Sequence, residues 1–274
     1  MKQKAKIILL AENKVEKRNL IAEHGLSFYI SYKGKKYLFD TGQGLAIFHN
    51  ANKINIGLEK LDAVILSHGH DDHSGGLRKL LKINNKLKVI SHPKTFLKKY
   101  KIENGEKVFI GSDIKEDEID NLVKIKERME IDKGIFVTGE VKTKNDDYIN
   151  DKYLVEENGQ EKIDDFADDM SLYFETAKGI VILLGCSHKG VINIIKEIEE
   201  QTNKKIRAIL GGMHLKHSSD YEIDEIVNYL KKIDFDFLAP IHCTGNKAAM
   251  KMKKVFGDKV NLAYTGDSFS FNIS

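Results

Sequence analysis

Hydrophobic residues along the chain fall into short runs parted by turn residues, and the runs switch between a strand period and a helix period. The runs at 7–10, 26–32 and 37–39 are strand-length, with Lys33-Gly34-Lys35 as the turn between the last two. Asp40-Thr41-Gly42-Gln43-Gly44 then ends a strand in a glycine-rich loop that leads to a helix around 45–50. Residues 61–66 read as a buried strand, and Leu77, Leu80 and Leu81 fall at helical spacing. A strand at 87–91 follows, and Pro93, favoured in a helix's first turn, predicts a helix from that point. From Ser171 onward, strands at 172–175, 180–184, 206–210 and 237–241 alternate with helices at 191–198, 221–233 and 247–256. Runs at 260–264 and 269–273 close the chain as strands. Strand runs alternate with helices in both halves, which predicts a sheet-on-sheet core with helices outside.

Residues from about 101 to 168 differ in character. They are dense in Lys, Glu and Asp, with only short apolar runs such as 108–110 and 135–137. This segment reads as an insertion or small cap on one domain spanning 1–274, a length within reach of a single large domain. No apolar run approaches the ~20 residues of a membrane span. The lysine-rich start is followed by only a strand-length run and no cleavage site of small residues, which argues against a signal peptide. Lys and Arg number 44 against 41 Asp and Glu, too even a balance for a nucleic-acid-binding face. The expected partner is therefore a small-molecule substrate, with no nucleic acid and no membrane; nothing in the pattern speaks to oligomeric state. Two cysteines, Cys186 and Cys243, cannot build a disulfide framework, and a cytoplasmic location is the expectation.

The chemistry concentrates in Ser67-His68-Gly69-His70-Asp71-Asp72-His73-Ser74-Gly75-Gly76, where three of the ten histidines fall within six residues. On a tight loop, His68 and His70 can turn their imidazoles toward one ion, leaving Asp72 and His73 for a second. Imidazole and carboxylate suit borderline divalent metals, zinc first, with Mn2+ or Fe2+ as alternatives. One loop does not complete such a site. His188, His214 and His242 each lie just past a predicted strand, an arrangement that brings them to one edge of the sheet. His242 ranks first among them as a ligand, His188 second and His214 third. Cys186 can ligate or bridge metals as a thiolate, or simply pack as a small buried residue. Cys243 is expected to point away from His242 and pack, and His49, His92 and His217 to lie on the surface. Asp40 is placed to accept the distal N–H of a ligating imidazole. His24, in Glu23-His24-Gly25, is expected at the mouth of the cleft, binding substrate, donating a proton or capping.

These residues resemble the metallo-β-lactamase-fold superfamily: Ser67–Gly76 looks like its metal-binding motif and Phe39-Asp40-Thr41-Gly42 like its first motif. More narrowly, Glu23-His24-Gly25-Leu26-Ser27, Gly185-Cys186-Ser187-His188, Gly211-Gly212-Met213-His214-Leu215 and His242-Cys243-Thr244-Gly245 are similar to a dihydropterin–(ribofuranosyl)aminobenzene phosphate synthase-like subgroup. The resemblance implies an α+β fold, an αββα sandwich with a one- or two-metal site at one edge and an insertion after the second motif. It carries His68, His70, Asp72, His73 and His242 over as ligands. The superfamily often adds a histidine in a Gly-His-Thr-like motif and then a bridging aspartate. This chain has no histidine between His92 and His188, so His188 is expected to replace the third imidazole, while the bridging ligand stays open.

The expected activity is metal-dependent hydrolysis by a metal-activated hydroxide, on a phosphoester or related small molecule. Asp72 belongs to the catalytic set, and His214 or His24 would stabilise the oxyanion or protonate the leaving group. The subgroup suggests another enzyme reading, displacement of pyrophosphate from a pterin alcohol. Two readings of other classes are a di-iron redox protein, which usually carries a carboxylate where His70 stands, and a non-catalytic metal-dependent sensor.

Overall fold

Along the first strand, Lys4–Ala11, Ile7 and Leu9 enter one hydrophobic cluster while Ile8 and Leu10 enter another. Both faces of the sheet are therefore covered, and alternate residues serve different layers. The structure is a computed structural model and describes residues 4–142 and 152–273. Its first sheet has seven strands in the order Ser268–Asn272, Lys4–Ala11, Ser27–Tyr32, Lys35–Phe39, Ala63–Ile65, Lys88–Ser91 and Leu122–Lys124. The second has six, in the order Phe237–Pro240, Ile206–Gly211, Gly179–Leu184, Leu172–Thr176, Ile135–Val137 and Met129–Asp132.

Ile7, Phe28, Phe39 and Ile65 of the first sheet meet Val137, Phe174, Leu183 and Leu210 of the second in one buried cluster, the filling of the sandwich. Outside the first sheet, Ile47 of helix Ala46–Lys53 and Leu77 and Leu80 of helix Leu77–Ile83 pack on Leu38 and Val64. Outside the second, helices Val191–Thr202, Asp220–Leu230 and Gly245–Phe256 cover Ile182, Leu184 and Ile209. The layers run αββα, as the periodicities predict.

The strands that carry the motifs pair in parallel: Lys35–Phe39 with Ala63–Ile65, and Gly179–Leu184 with Ile206–Gly211 and then Phe237–Pro240. Parallel pairing puts the carboxyl ends of neighbouring strands on one edge, so Asp40, the His68 loop, Cys186, His214 and His242 leave the sheets together.

Three expectations change. Pro93 opens no helix; residues 93–97 form turns, with Thr95 N–H bonded to His92 O at 3.1 Å and Leu97 N–H to Lys94 O at 3.2 Å. His92 has its ring fully buried against Glu140, at 2.9 Å, and is not a surface residue. Residues 260–264 form no strand beyond a single bridge between Val260 and Leu238. The charged segment at about 101–168 is divided. Its middle runs, Leu122–Lys124, Met129–Asp132 and Ile135–Val137, extend the two main sheets. Its flanks form a separate antiparallel sheet of Gln160–Ile163, Tyr153–Glu157, Lys98–Glu103 and Glu106–Phe109. Residues 143–151 of the segment lie outside the described residues. Among the described residues no helix is long and apolar enough to cross a membrane.

Candidate metal centre

The loop after strand Ala63–Ile65 turns into a one-turn helix, Asp71–Ser74, and this places His68, His70, Asp72 and His73 around one point. All four are buried. Their outer atoms are held by partners that leave little freedom. Asp40 accepts hydrogen bonds from Ser67 N–H, Ser67 Oγ–H and His73 Nδ1–H, each at 2.7 Å. With its own proton given to Asp40, Ser67 Oγ accepts from His68 Nδ1 at 2.9 Å. His242 Nδ1 donates to Asn13 Oδ1 at 3.1 Å, and Gly25 N–H fixes that amide by donating to the same oxygen at 3.3 Å. His68, His73 and His242 are thereby locked with Nδ1 protonated and Nε2 aimed inward.

The inward atoms meet. His68 Nε2 lies 3.0 Å from His70 Nδ1, and His73 Nε2 lies 3.2 Å from His242 Nε2 and 3.1 Å from Cys186 Sγ. Asp72 Oδ2 is 3.3 Å from His242 Nε2 and 3.8 Å from His73 Nε2. Nitrogen ligands at roughly 2.0–2.1 Å from a tetrahedral ion stand about 3.4 Å apart, so these spacings fit ions without backbone movement. Three overlapping donor sets surround the loop: Asp72, His73, Cys186 and His242; His68, His70 and Asp72; and His68, Cys186 and His188. Asp72 belongs to the first two and Cys186 to the first and third. The sequence left Cys186 and His188 as rivals; the geometry brings both in, together beside His68. His188 Nε2 is buried and, among the described residues, has no hydrogen-bond partner, as an imidazole awaiting an ion would be.

Electrostatics follow the same division. Burial holds His68, His70 and His188 well below the usual imidazole range, so they are neutral, the form that binds metal. Burial also opposes charge on His73, but the Asp72 and Asp40 carboxylates outweigh it and lift His73 to about 9, so an ion bound at Nε2 must displace a proton there. Burial likewise opposes charge on Asp72, yet His73 and His242 hold it ionised, well below the carboxylate range. Burial raises the Cys186 thiol well above its ordinary value, so an ion is what would make it a thiolate.

Strain concentrates at this edge. Asp40, Ser187, His214 and His242 adopt left-handed backbone, with φ of 63°, 62°, 52° and 53°. Non-glycine residues bear that conformation at some cost, and such residues gather at functional sites.

The centre opens into a cavity of about 1210 Å³ lined by His24, Lys101, Tyr153, Phe166, His214 and Lys216 among others. His24 stands at the mouth, its side chain 59% exposed and Nε2 3.4 Å from Asp72 Oδ2. His214 lies deeper, its ring 4.3 Å from that of His188. Cys243 is a correction: it does not point away, but joins Cys186 and His214 on the cavity wall. The sequence reading missed Tyr153, stacked on His70 with ring centroids 5.8 Å apart, and Phe166, stacked on His188 at 4.3 Å. It also missed buried Lys99, which pairs with Asp164 at 2.6 Å and Asp168 at 3.0 Å. Asp168 in turn accepts Gly69 N–H at 2.9 Å, anchoring the metal loop between its two histidines. The acidic pair Asp168-Asp169 just before an apolar strand was the one available signal for this anchor.

Residues 21–161 match the family model of the metallo-β-lactamase superfamily. An uncharacterized protein of Methanocaldococcus jannaschii is 36% identical over 254 residues, covering 91% of this chain and 94% of that one. The 7,8-dihydropterin-6-methyl-4-(β-D-ribofuranosyl)-aminobenzene-5′-phosphate synthase of the same organism is 31% identical, covering 91% and 90%. Among solved structures, a metal-dependent hydrolase of the β-lactamase superfamily is similar with a TM-score of 0.86 and 30% identity, over 97% of this chain and 98% of that one.

Proposed function

The chain belongs to the metallo-β-lactamase superfamily, and from that premise we propose that it is a metal-dependent hydrolase of a phosphoester or related small molecule. One observation carries the reading: His68, His70, Asp72, His73, Cys186, His188 and His242 bring their ligand atoms together at the base of a cavity large enough for a substrate. When bound, one or two divalent ions would supply Lewis acidity and acidify a water enough to yield hydroxide near neutral pH. Zinc suits the donor set best, and Mn2+ or Fe2+ suit its nitrogen and oxygen ligands.

The chain's own residues supply position and proton handling. Asp40, Ser67 and Asn13 hold the ligand imidazoles in the tautomer that faces inward. Tyr153 and Phe166 close over His70 and His188 and keep bulk water from that side. His24, reachable from solvent and 3.4 Å from Asp72, is the proton donor to the leaving group. His214 lines the cavity where it can steady negative charge, and Lys216, with Lys101 paired to Glu103 at 2.6 Å, also lines it and favours an anionic substrate.

A second reading is favoured by the relative at 31% identity over nine-tenths of the chain, a synthase by name. In that case the same centre activates a pyrophosphate leaving group on a pterin alcohol. The test is a screen of phosphomonoesters, phosphodiesters, thioesters, lactones and pterin pyrophosphates, with Asp72→Ala as control. Turnover of a phosphoester that is lost in the variant supports the hydrolase. Pyrophosphate release only in the presence of an aminobenzene acceptor assigns the second reading instead. No substrate turned over in an Asp72-dependent manner overturns both.

A further inference from the structure

Three motifs, Gly185–His188, Gly211–His214 and His242–Gly245, bring Cys186, His214 and Cys243 together, and the hydrolytic reading leaves Cys243 without a task. Their ligand atoms all lie within 4.8 Å of one another. A tetrahedral ion with sulfur at about 2.3 Å and nitrogen at about 2.0 Å needs its ligands roughly 3.5–3.8 Å apart, a closure side-chain rotation can supply. Both cysteines are free thiols. His214 Nδ1 is buried and has no hydrogen-bond partner among the described residues, so the imidazole is not committed elsewhere through that atom. Cys243 Sγ accepts the backbone N–H of His214 at 3.3 Å and donates its S–H to Cys186 O at 3.4 Å, a weak bond that a metal–sulfur bond would replace.

The backbone is shaped to allow this approach. A Cβ at Gly212 would stand 2.6 Å from Cys243 Sγ and 2.5 Å from Gly185 O, so only glycine admits the sulfur there. His214 itself sits in the left-handed region, at φ 52°.

We propose that Cys186, His214 and Cys243 form a further, thiolate-rich metal position that shares Cys186 with the neighbouring centre, taking a soft divalent ion of the zinc class with its fourth site open to the cavity. Binding forms two metal–sulfur bonds and one metal–nitrogen bond and releases both thiol protons to solvent. Two sulfurs and one imidazole select zinc-like ions over magnesium or manganese, whereas the neighbouring histidine–aspartate sets accept a wider range. Cys186 is shared, so the ion stands beside the hydrolytic centre and adds positive charge on the wall that His214 occupies. The proposal holds whether or not that centre hydrolyses anything.

Cadmium titration of the reduced, metal-free chain tests it through the near-ultraviolet thiolate-to-metal charge-transfer band. The band should fall to about half in Cys243→Ser and vanish in Cys186→Ser/Cys243→Ser. An unchanged band in Cys243→Ser, or no band in the native chain, overturns the proposal. His214→Gln keeps both thiols and should weaken cadmium binding at least tenfold; unchanged affinity removes the histidine and with it the site. Should Cys243→Ser fail to fold, the native chain decides. Saturating cadmium should slow alkylation of Cys243, followed by peptide mass, at least tenfold; equal rates with and without cadmium overturn the site.

Discussion

Asp40→Asn tests whether the inward-facing imidazoles are set by their outer partners. Asp40 has no exposed surface and accepts three hydrogen bonds at 2.7 Å, two through Oδ2 and one through Oδ1. Asparagine keeps the shape, tolerates the left-handed φ of 63°, and can still accept Ser67 N–H through its oxygen. Its amide N–H2 then replaces Oδ2, facing Ser67 Oγ and His73 Nδ1. The serine hydroxyl can rotate. His73 can adapt only by giving up its Nδ1 proton and keeping the one on Nε2, the atom 3.1 Å from Cys186 and 3.2 Å from His242. An ion must then drive the proton back to Nδ1 and leave a buried donor pair clashing. Loss of one hydrogen bond to a charged group is worth about 1.5–3 kcal/mol, and outer-partner substitutions cost about 10–100-fold in metal affinity; the two scales agree, since tenfold is about 1.4 kcal/mol. Competition with a zinc chelator of known affinity, alongside circular dichroism to confirm the fold, measures it. A folded variant that binds zinc within twofold of the native chain refutes the reasoning.

Lys99→Met leaves Asp164 and Asp168 as buried carboxylates without their cation, and should cost about 3–5 kcal/mol in urea unfolding; a loss under about 1 kcal/mol contradicts the buried triad. Burial raises Asp169 to about 7 from an ordinary 3.8, so the folded chain keeps a proton there that the unfolded chain releases. Its contribution to stability is full below about pH 3.8 and is lost progressively as pH rises toward 7, because the unfolded state then binds fewer protons. Asp169→Asn should therefore gain stability relative to the native metal-free chain between pH 5 and 8, and a constant difference across that range speaks against it. Gly212→Ala forces a methyl against Gly185 O and Cys243 Sγ and should destabilise the chain by about 1–3 kcal/mol, by thermal denaturation; a neutral effect would mean the close approach is not tight.

The sandwich was legible because its strands carry two distinct apolar faces. Runs such as Ile7-Ile8-Leu9-Leu10 and Ile180–Leu184 are buried on both sides, and only a layered fold consumes such runs. The ligands were legible for a related reason: each follows a recognisable strand, and parallel pairing collects strand ends on one edge. The failures are where tertiary contacts override local signals. Pro93 fits a helix's first turn, but His92 is drawn inward to Glu140 and the chain turns immediately into strand Lys98–Glu103. Alternation along 242–243 argues that Cys243 faces away from His242, but a one-turn 3-10 helix over His242–Thr244 replaces the pleat and turns both toward the cavity. Tyr153, Phe166 and Lys99 were invisible, since an isolated aromatic or lysine in a charged segment carries no period; only the third sheet and the turn after it bring Tyr153 and Phe166 onto the histidines and Lys99 onto Asp168 beneath the metal loop.

The central claim is that the His68–His73 loop, closed by His188, His242 and Cys186, holds the ions on which activity depends. Elemental analysis of the native chain beside His68→Ala/Asp72→Ala, both reconstituted with zinc and desalted, tests it most directly. The variant should keep its fold and lose one to two equivalents of zinc per chain together with all turnover. Equal zinc in the two proteins, or a native chain that retains none, contradicts it.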